Sequence, residues 1–178
     1  SKMKGVGKIA TTGIWKIEKR LDNVIDYTTN IEKTINSDYG KDSYYDLHNV
    51  IDYVEADYKT EKQFYVSGVN CNPKTALEEM TITKEQYGKT GGILGFHAFQ
   101  SFAEGEVTPE QCHAIGVRLA EEMWGDRFEV VVSTHLNTNH YHNHFVINSV
   151  SFKDGKRYYD KRETYAELRR LSDGVSIK

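Results

Sequence analysis

The stretch FEVVVSTHLNTNHYHNHFVINSV, residues 128–150, decides how this chain is read. Both flanks are apolar and rich in β-branched residues, the composition of strands, and the polar run between them is where such strands meet. On the second strand His142 and His144 stand two apart, so both imidazoles leave the same face of the sheet. His135 closes the first strand and reaches that face from the neighbouring ladder. With His140, these make four of the chain's seven His within ten residues. A lone His is an ordinary core or surface residue; three neutral imidazoles converging on one point make a divalent-metal site. Structural zinc usually recruits Cys, whereas Cys71 and Cys112 lie far apart and in no CxxC or CxxH pair. The donors therefore point to a catalytic metal with open positions. The literal string His142-Asn143-His144 is a false match to the HNH nucleases, whose letters are spread across a hairpin and a helix.

The chain of 178 residues is expected to form one domain, residues 1–178, large enough for a core without staples. Two Cys give no disulfide framework, which suits a reducing cytoplasm. No apolar run approaches the ~18 residues of a membrane span. A formal net charge of −3 does not advertise a nucleic-acid binder, so any phosphate-binding surface must be local. Tyr is common, 12 against 7 Phe, and Tyr both stacks on bases and serves as a nucleophile.

Outward from the His segment, IATTGIWKI (9–17) reads as a strand with Ile9, Thr11, Gly13, Trp15 and Ile17 on one face. LDNVIDYTTN (21–30) reads as a short helix, and INSDYGKDS (35–43) as a polar loop. The stretch 44–60 looks helical, with Leu47, Val50, Ile51 and Val54 in phase. FYVSGV (64–69) is a strand, and Asn72-Pro73 opens a helix through Met80. ILGFHAFQSF (93–102) is a strand; Thr108-Pro109-Glu110-Gln111 is a capping box. The helix it opens is expected to bury Cys112, Ile115, Leu119 and Met123 and to stop at Gly125. VSFKDGKRYYD (150–160) reads as a hairpin about Asp154-Gly155, with a last helix from about Glu163. Elements in this order predict an α/β fold: a mainly antiparallel central sheet with helices packed against it and the His on one sheet face.

A His-bound divalent cation polarises phosphoryl oxygens and offsets the charge of a displacement. There is no GxSxG elbow, and neither Cys lies in an activating motif, so Tyr is the remaining class of covalent nucleophile for phosphorus. An extra His, or Asn137 through a water, can organise the proton transfer. One internal echo bears on which Tyr acts. LDNVIDYTTNIEKT (21–34) and LHNVIDYVEADYKT (47–60) agree at eight of fourteen positions, so Tyr27 and Tyr53 stand in matching frames and periodicity does not choose between them.

Three blocks together resemble the conjugative relaxases, the mobilisation nucleases of the MobA/VirD type (MOB-P-like) among the HUH endonucleases. RLDNVIDYTTNIEKT resembles their first motif, which implies Tyr27 as the nucleophile with Tyr53 as its rival. GFHAFQSF resembles the second, which implies a catalytic or strand-positioning role for Ser101. STHLNTNHYHNHFVIN resembles the metal motif and implies His135, His142 and His144 as ligands, with His135 also counted among the catalytic residues. Asn137 stands where relatives often carry Asp, and His140 is an extra imidazole that is an alternative ligand or a supporting residue. YVSGVNC, VTPEQCHAIG and LRRLSD extend the likeness along nearly the whole chain.

The resemblance implies a palm-like HUH sheet, Mg²⁺ or Mn²⁺ as cofactor, and site- and strand-specific nicking and rejoining of single-stranded transfer-origin DNA (oriT) through a 5′-phosphotyrosyl intermediate. That would start conjugative transfer or mobilisation of a mobile genetic element. It implies recognition of a hairpin beside the nick, for which Lys153, Lys156, Arg157, Lys161 and Arg162 are the expected phosphate-contacting run. Accessory DNA-processing and coupling proteins would be partners, the location the bacterial cytoplasm, and the chain the N-terminal part of a longer protein. His97 and Gln100 lie on the Ser101 element and rank second; His48 and His113 read as surface or helix-face residues. A rolling-circle replication initiator of the same superfamily is the nearest alternative, although many initiators place Tyr downstream of the His motif. A metal-dependent hydrolase of small substrates and a non-catalytic DNA-binding module are the others.

Overall fold

The two strands expected on either side of the His-rich turn pair antiparallel near the middle of a five-stranded sheet. The computed structural model describes residues 10–30 and 65–177. In chain order these form β1 (Thr11–Ile17), α1 (Leu21–Thr28), β2 (Val66–Val69), a 3₁₀ turn (Pro73–Thr75) running into α2 (Ala76–Gln86), β3 (Gly95–Ser101), α3 (Pro109–Trp124), β4 (Val130–His135), β5 (His142–Asn148) and α4 (Arg162–Ile177). The sheet order is β1-β3-β5-β4-β2, and every neighbouring pair is antiparallel. The expected α/β fold with an antiparallel sheet and packed helices is the observed one. The loop and helix expected over 35–60, with His48 and Tyr53, fall outside the described residues. No helix among the described residues is long and apolar enough to cross a membrane.

Strand alternation divides the sheet into two faces. On one, Ile17, Val66, Val131 and Val146 pack beneath Leu21 and Ile25 of α1 and Ala76 and Met80 of α2. On the other, Ile14, Phe96, Ala98, Val130, Val132, Phe145 and Ile147 meet Leu119, Ala120 and Trp124 of α3 and Leu168 of α4. Each face thus has its own apolar core, and β4 and β5 belong to both. The Thr108 capping box forms as expected: its hydroxyl accepts from Gln111 N–H while the Gln111 side chain takes Thr108 N–H.

The α3 stripe is rotated from the expected one. Cys112 and Leu119 are buried as predicted, but Gly116, Ala120 and Trp124 complete the buried face, and Ile115 and Met123 pack only at its margin. A polar layer beneath the helix accounts for this. Buried Asn143 donates to Gln100 Oε1 and the Cys112 carbonyl and accepts from Thr134 Oγ1, while Gln100 donates to Ser172 Oγ. A Cβ on Gly116 would lie 2.6 Å from the Asn143 amide, so only glycine lets α3 approach there. His113, expected at a surface or helix face, is wedged between Ser67 Oγ (2.7 Å) and Thr134 Oγ1 (2.8 Å). Burial pushes its pKa down to about 4.

Two expected boundaries shift. Asn72 caps a 3₁₀ turn by accepting from Lys74 N–H, and the helix beyond it continues to Gln86 rather than ending at Met80. The Asp154-Gly155 segment is a compact loop closed by a single Val150–Arg157 bridge, not a hairpin of two ladders. Ser151 Oγ accepts from Lys153 N–H and Asp154 Oδ1 from Lys156 N–H, so side chains satisfy backbone groups that a ladder would use. Gly155 takes φ +72° there, against the Tyr87 ring.

Gly116→Ala would gain about 1 kcal/mol of helix propensity, yet it collides with an amide fixed by three hydrogen bonds, and overpacking costs about 1–3 kcal/mol. The expected result is net destabilisation, seen as a lower urea midpoint at unchanged slope. His113 adds a pH dependence of determinable sign. Its folded pKa of about 4 lies below the ordinary 6.5, so the unfolded chain takes up the proton first as pH falls. Its contribution is complete above pH 6.5 and is lost between there and pH 4, by up to about 3 kcal/mol. Unfolding curves at pH 7 and pH 4.5 should lie closer together for His113→Gln than for the unsubstituted protein.

Candidate metal centre and its tyrosine

The register of three strands builds the site. His135 at the end of β4 pairs directly with His142 at the start of β5, and His144 lies opposite Ser133. Direct partners share a face, so the three imidazoles converge: ring centroids are 5.0 Å apart for His135–His142, 5.0 Å for His142–His144 and 4.2 Å for His135–His144. One nitrogen from each lies within 4.8 Å of the other two. His135 is buried, and His142 and His144 are half-buried.

The remaining nitrogen of each ring has a polar partner, which for His135 and His142 is a carbonyl that fixes the tautomer. His135 Nε2 donates to the Thr28 carbonyl at 2.8 Å, which leaves Nδ1 with its lone pair. His142 Nδ1 donates to the His140 carbonyl at 2.8 Å, which leaves Nε2. His144 Nδ1 faces His97 Nε2 at 2.6 Å. Burial lowers the His97 pKa and favours the neutral ring, which can accept from His144 Nδ1–H and so put the lone pair on His144 Nε2. Metal-binding His show this pattern, with the second nitrogen held by a carbonyl or another polar group. The donor set fits a divalent cation.

Tyr27 closes the site from above. It is the penultimate residue of α1, whose buried stripe is Leu21, Ile25 and Thr28. Its ring is 53% exposed and stands edge-on to two of the imidazoles, at centroid distances of 6.0 Å to His135 and 6.2 Å to His144. The last turn is secured by Thr28 Oγ1 donating to Val24 O (2.9 Å) and Thr29 Oγ1 to Ile25 O (2.7 Å). The same residue that follows Tyr27 thus supplies the carbonyl that holds His135. The helix C-terminus also presents its negative dipole end to the cluster, which favours a cation there.

The other expected site residues are distributed as follows. Ser101 ends β3 directly opposite His142, on the same face as the three His. Asn137 and His140 are exposed in the β4–β5 turn; the His140 carbonyl, not its ring, meets the cluster. Gln100 points to the opposite face, into the Asn143 layer. Arg157, Lys161 and Arg162 line shallow grooves beside the Lys16 end of β1, whereas Lys153 and Lys156 lie on the exposed loop before them. That loop follows the far end of β5; the seven residues from His142 to Asn148 span ~20 Å. Sequence reasoning gave His97 too little weight: its even spacing from Ser101 already put it on the site face. Nothing in the sequence marked the Thr28 carbonyl.

Comparison with known proteins identifies the family. The family model described as "Relaxase: MobA/VirD2-like, nuclease domain" matches residues 29–178, a span that begins just after Tyr27. A protein rlx of Staphylococcus aureus is 39% identical over 111 residues, 62% of this chain and 33% of that protein. The group II intron-interrupted relaxase LtrB of Lactococcus lactis subsp. cremoris is 32% identical over 166 residues, 79% of this chain and 29% of its own length. The chain therefore spans about a third of the length of the curated relatives it matches. A solved structure described as "Molecular Basis of Vancomycin Resistance Transfer in Staphylococcus aureus" shares the fold with TM-score 0.59 and 11% identity, covering 94% of this chain and 90% of that one. With the family match extending over most of its length, this chain belongs to the MobA/VirD2-like relaxases and carries their nuclease domain.

Proposed function

We propose that this domain nicks and rejoins one strand of transfer-origin DNA by metal-dependent tyrosine transesterification, within the bacterial cytoplasm and in the service of mobilisation. The observation that carries the reading is the Tyr27 ring standing edge-on to His135 and His144, which brings a nucleophile and a metal-ligand set to one point. His135, His142 and His144 would hold the cation, Mg²⁺ or Mn²⁺, with His97 and the Thr28 and His140 carbonyls orienting them. When bound, the cation supplies Lewis-acid stabilisation of charge on the phosphoryl oxygens.

Tyr27 Oη gives up its proton to solvent and attacks the scissile phosphorus. The P–O3′ bond breaks, O3′ takes up a proton and leaves with the upstream segment, and the downstream segment stays on Tyr27 through its 5′-phosphate, as a phosphodiester. The 3′-OH can reverse the step, because the ester retains the bond energy of the strand. Ser101, opposite His142, is placed to hold a phosphate of the same strand. Asn137 and His140, exposed at the rim, can order water for the proton transfers. An adjacent DNA hairpin and accessory or coupling proteins complete the proposed partners, with Arg157, Lys161 and Arg162 as phosphate contacts and Lys153 and Lys156 on the exposed loop before them.

Tyr27→Phe should abolish the covalent protein–DNA band on a denaturing gel while leaving oligonucleotide affinity within about twofold, since one hydroxyl is lost from an exposed ring. An adduct that survives Tyr27→Phe and disappears in Tyr53→Phe would move the nucleophile. His142→Ala should weaken metal binding about 10–100-fold or more, measured by calorimetry with Mn²⁺, with little change in thermal midpoint of the metal-free protein because the ring is half-buried. Imidazoles suit transition ions better than Mg²⁺, so half-maximal cleavage should need less Mn²⁺ than Mg²⁺. Equal requirements would argue against a three-imidazole site.

A further inference from the structure

A file of rings leads away from the candidate metal centre and ends at an exposed tryptophan. His97 stacks at 4.8 Å from His144, and Trp15 at 5.2 Å from His97. Trp15 lies on β1 directly opposite His97, on the site face, and is 52% exposed. Two interstrand spacings, ~10 Å, and an offset of two residues along the strands, ~7 Å, separate its backbone from that of His144, about 12 Å in all. Apolar burial does not account for its position, since half of a large ring faces solvent. The ring is nonetheless held. Phe99 meets it edge-on at 5.6 Å and 74°. Gly13 makes room for that Phe99 ring, because a Cβ there would lie 2.3 Å from it.

Beyond Trp15 the surface turns basic around the outer edge of β1. One groove is lined by Trp15, Lys16, Lys161 and Arg162, with Glu18 and Asp160 as its acids. The adjoining groove shares Lys16 and Lys161 and adds Arg157 and Tyr159, the latter 58% exposed. Four cations against two carboxylates form a positive track on a chain whose formal net charge is −3. A preordered, solvent-facing aromatic flanked by cations is what a single strand requires, because every base offers a π face while the phosphates follow positive charge. A duplex keeps its bases stacked inside and cannot use the ring in this way.

We propose that Trp15 is a base-stacking platform that seats an unpaired nucleotide beside the scissile phosphate, with the strand continuing over the Lys16–Lys161–Arg162 groove. The inference rests on the DNA-processing reading above and specifies where its substrate lies. Trp15 acts on binding and strand position, and no bond is made or broken at it.

Intrinsic fluorescence tests the assignment, because the chain has two Trp and the other, Trp124, is fully buried. The probe is an oligothymidylate of about 20 nucleotides, longer than the ~4–16 nucleotide footprint of small single-strand folds. It is titrated with chelator into the Tyr27→Phe protein, so that binding is read without cleavage. The expected result is quenching of the exposed tryptophan on binding. Trp15→Ala should raise the dissociation constant about tenfold, and Trp15→Phe should stay within about threefold, since stacking needs a ring and not the indole. Binding without quenching, or equal affinity for the unsubstituted, Ala and Phe proteins, would overturn the proposal, as would no binding of the probe. Trp15→Phe guards against misfolding of Trp15→Ala. The two readings fail separately, because loss of the Tyr27 adduct would refute the chemistry while leaving the stacking result standing.

Discussion

The hydrogen bond from His135 Nε2 to the Thr28 carbonyl joins the two halves of the site. The carbonyls of a helix's last turn have no partner within the helix, so α1 ends with an acceptor to spare. His135, buried at the end of β4, takes it at 2.8 Å. That one contact fixes the imidazole tautomer, stops the helix at a set height over the sheet, and thereby places Tyr27, one residue earlier, beside the cluster. Tyr27 and the His cluster are positioned by the same bond, and displacement of α1 would misplace both together.

The sheet beneath has to be stiff for this to work, and its opposite face supplies the stiffness. His142 and His144 alternate along β5 with Asn143 and Phe145, so every ligand has a neighbour anchored below. Asn143 is tied to β3, β4 and α3 at once through Gln100, Thr134 and the Cys112 carbonyl. A slip of one residue in the β4–β5 register would send the His into the core and lift the amide to the surface. The slip is costly because the partners Asn143 leaves behind in the core, Gln100 and the Cys112 carbonyl among them, lose about 1–3 kcal/mol per unpaired group. The register of the His cluster is therefore held by residues on the opposite face of the sheet.

Charge is organised on a similarly local scale. A net formal charge of −3 gives no general attraction to nucleic acid, yet Lys16, Arg157, Lys161 and Arg162 gather beside β1. Lys16 comes from the N-terminal part of the chain and the other three from the C-terminal part, and they meet because α4 packs on β1, where Tyr165 Oη accepts from the Ile14 backbone N–H.

The sequence by itself determined whatever follows from short-range periodicity. Alternation on β5 put His142 and His144 on one face, the Thr108 capping box announced α3, and β-branched runs marked the strands. The motif resemblance added Tyr27 ahead of Tyr53, and the structure brings Tyr27 to the cluster. Periodicity worked less well where tertiary packing overrides it: the α3 stripe turned toward Gly116 because Asn143 lies beneath it, and side-chain capping replaced the ladder expected about Asp154-Gly155. Only the tertiary structure decided which groups support the ligands. The Thr28 carbonyl is 107 residues from His135, and His97 is 47 from His144. A backbone carbonyl has no letter in a sequence, and the pairing of Trp15 with His97 depends on a strand register set by residues between them. Local chemistry is written along the chain; the meeting of distant groups comes from closing the sheet and docking the helices upon it.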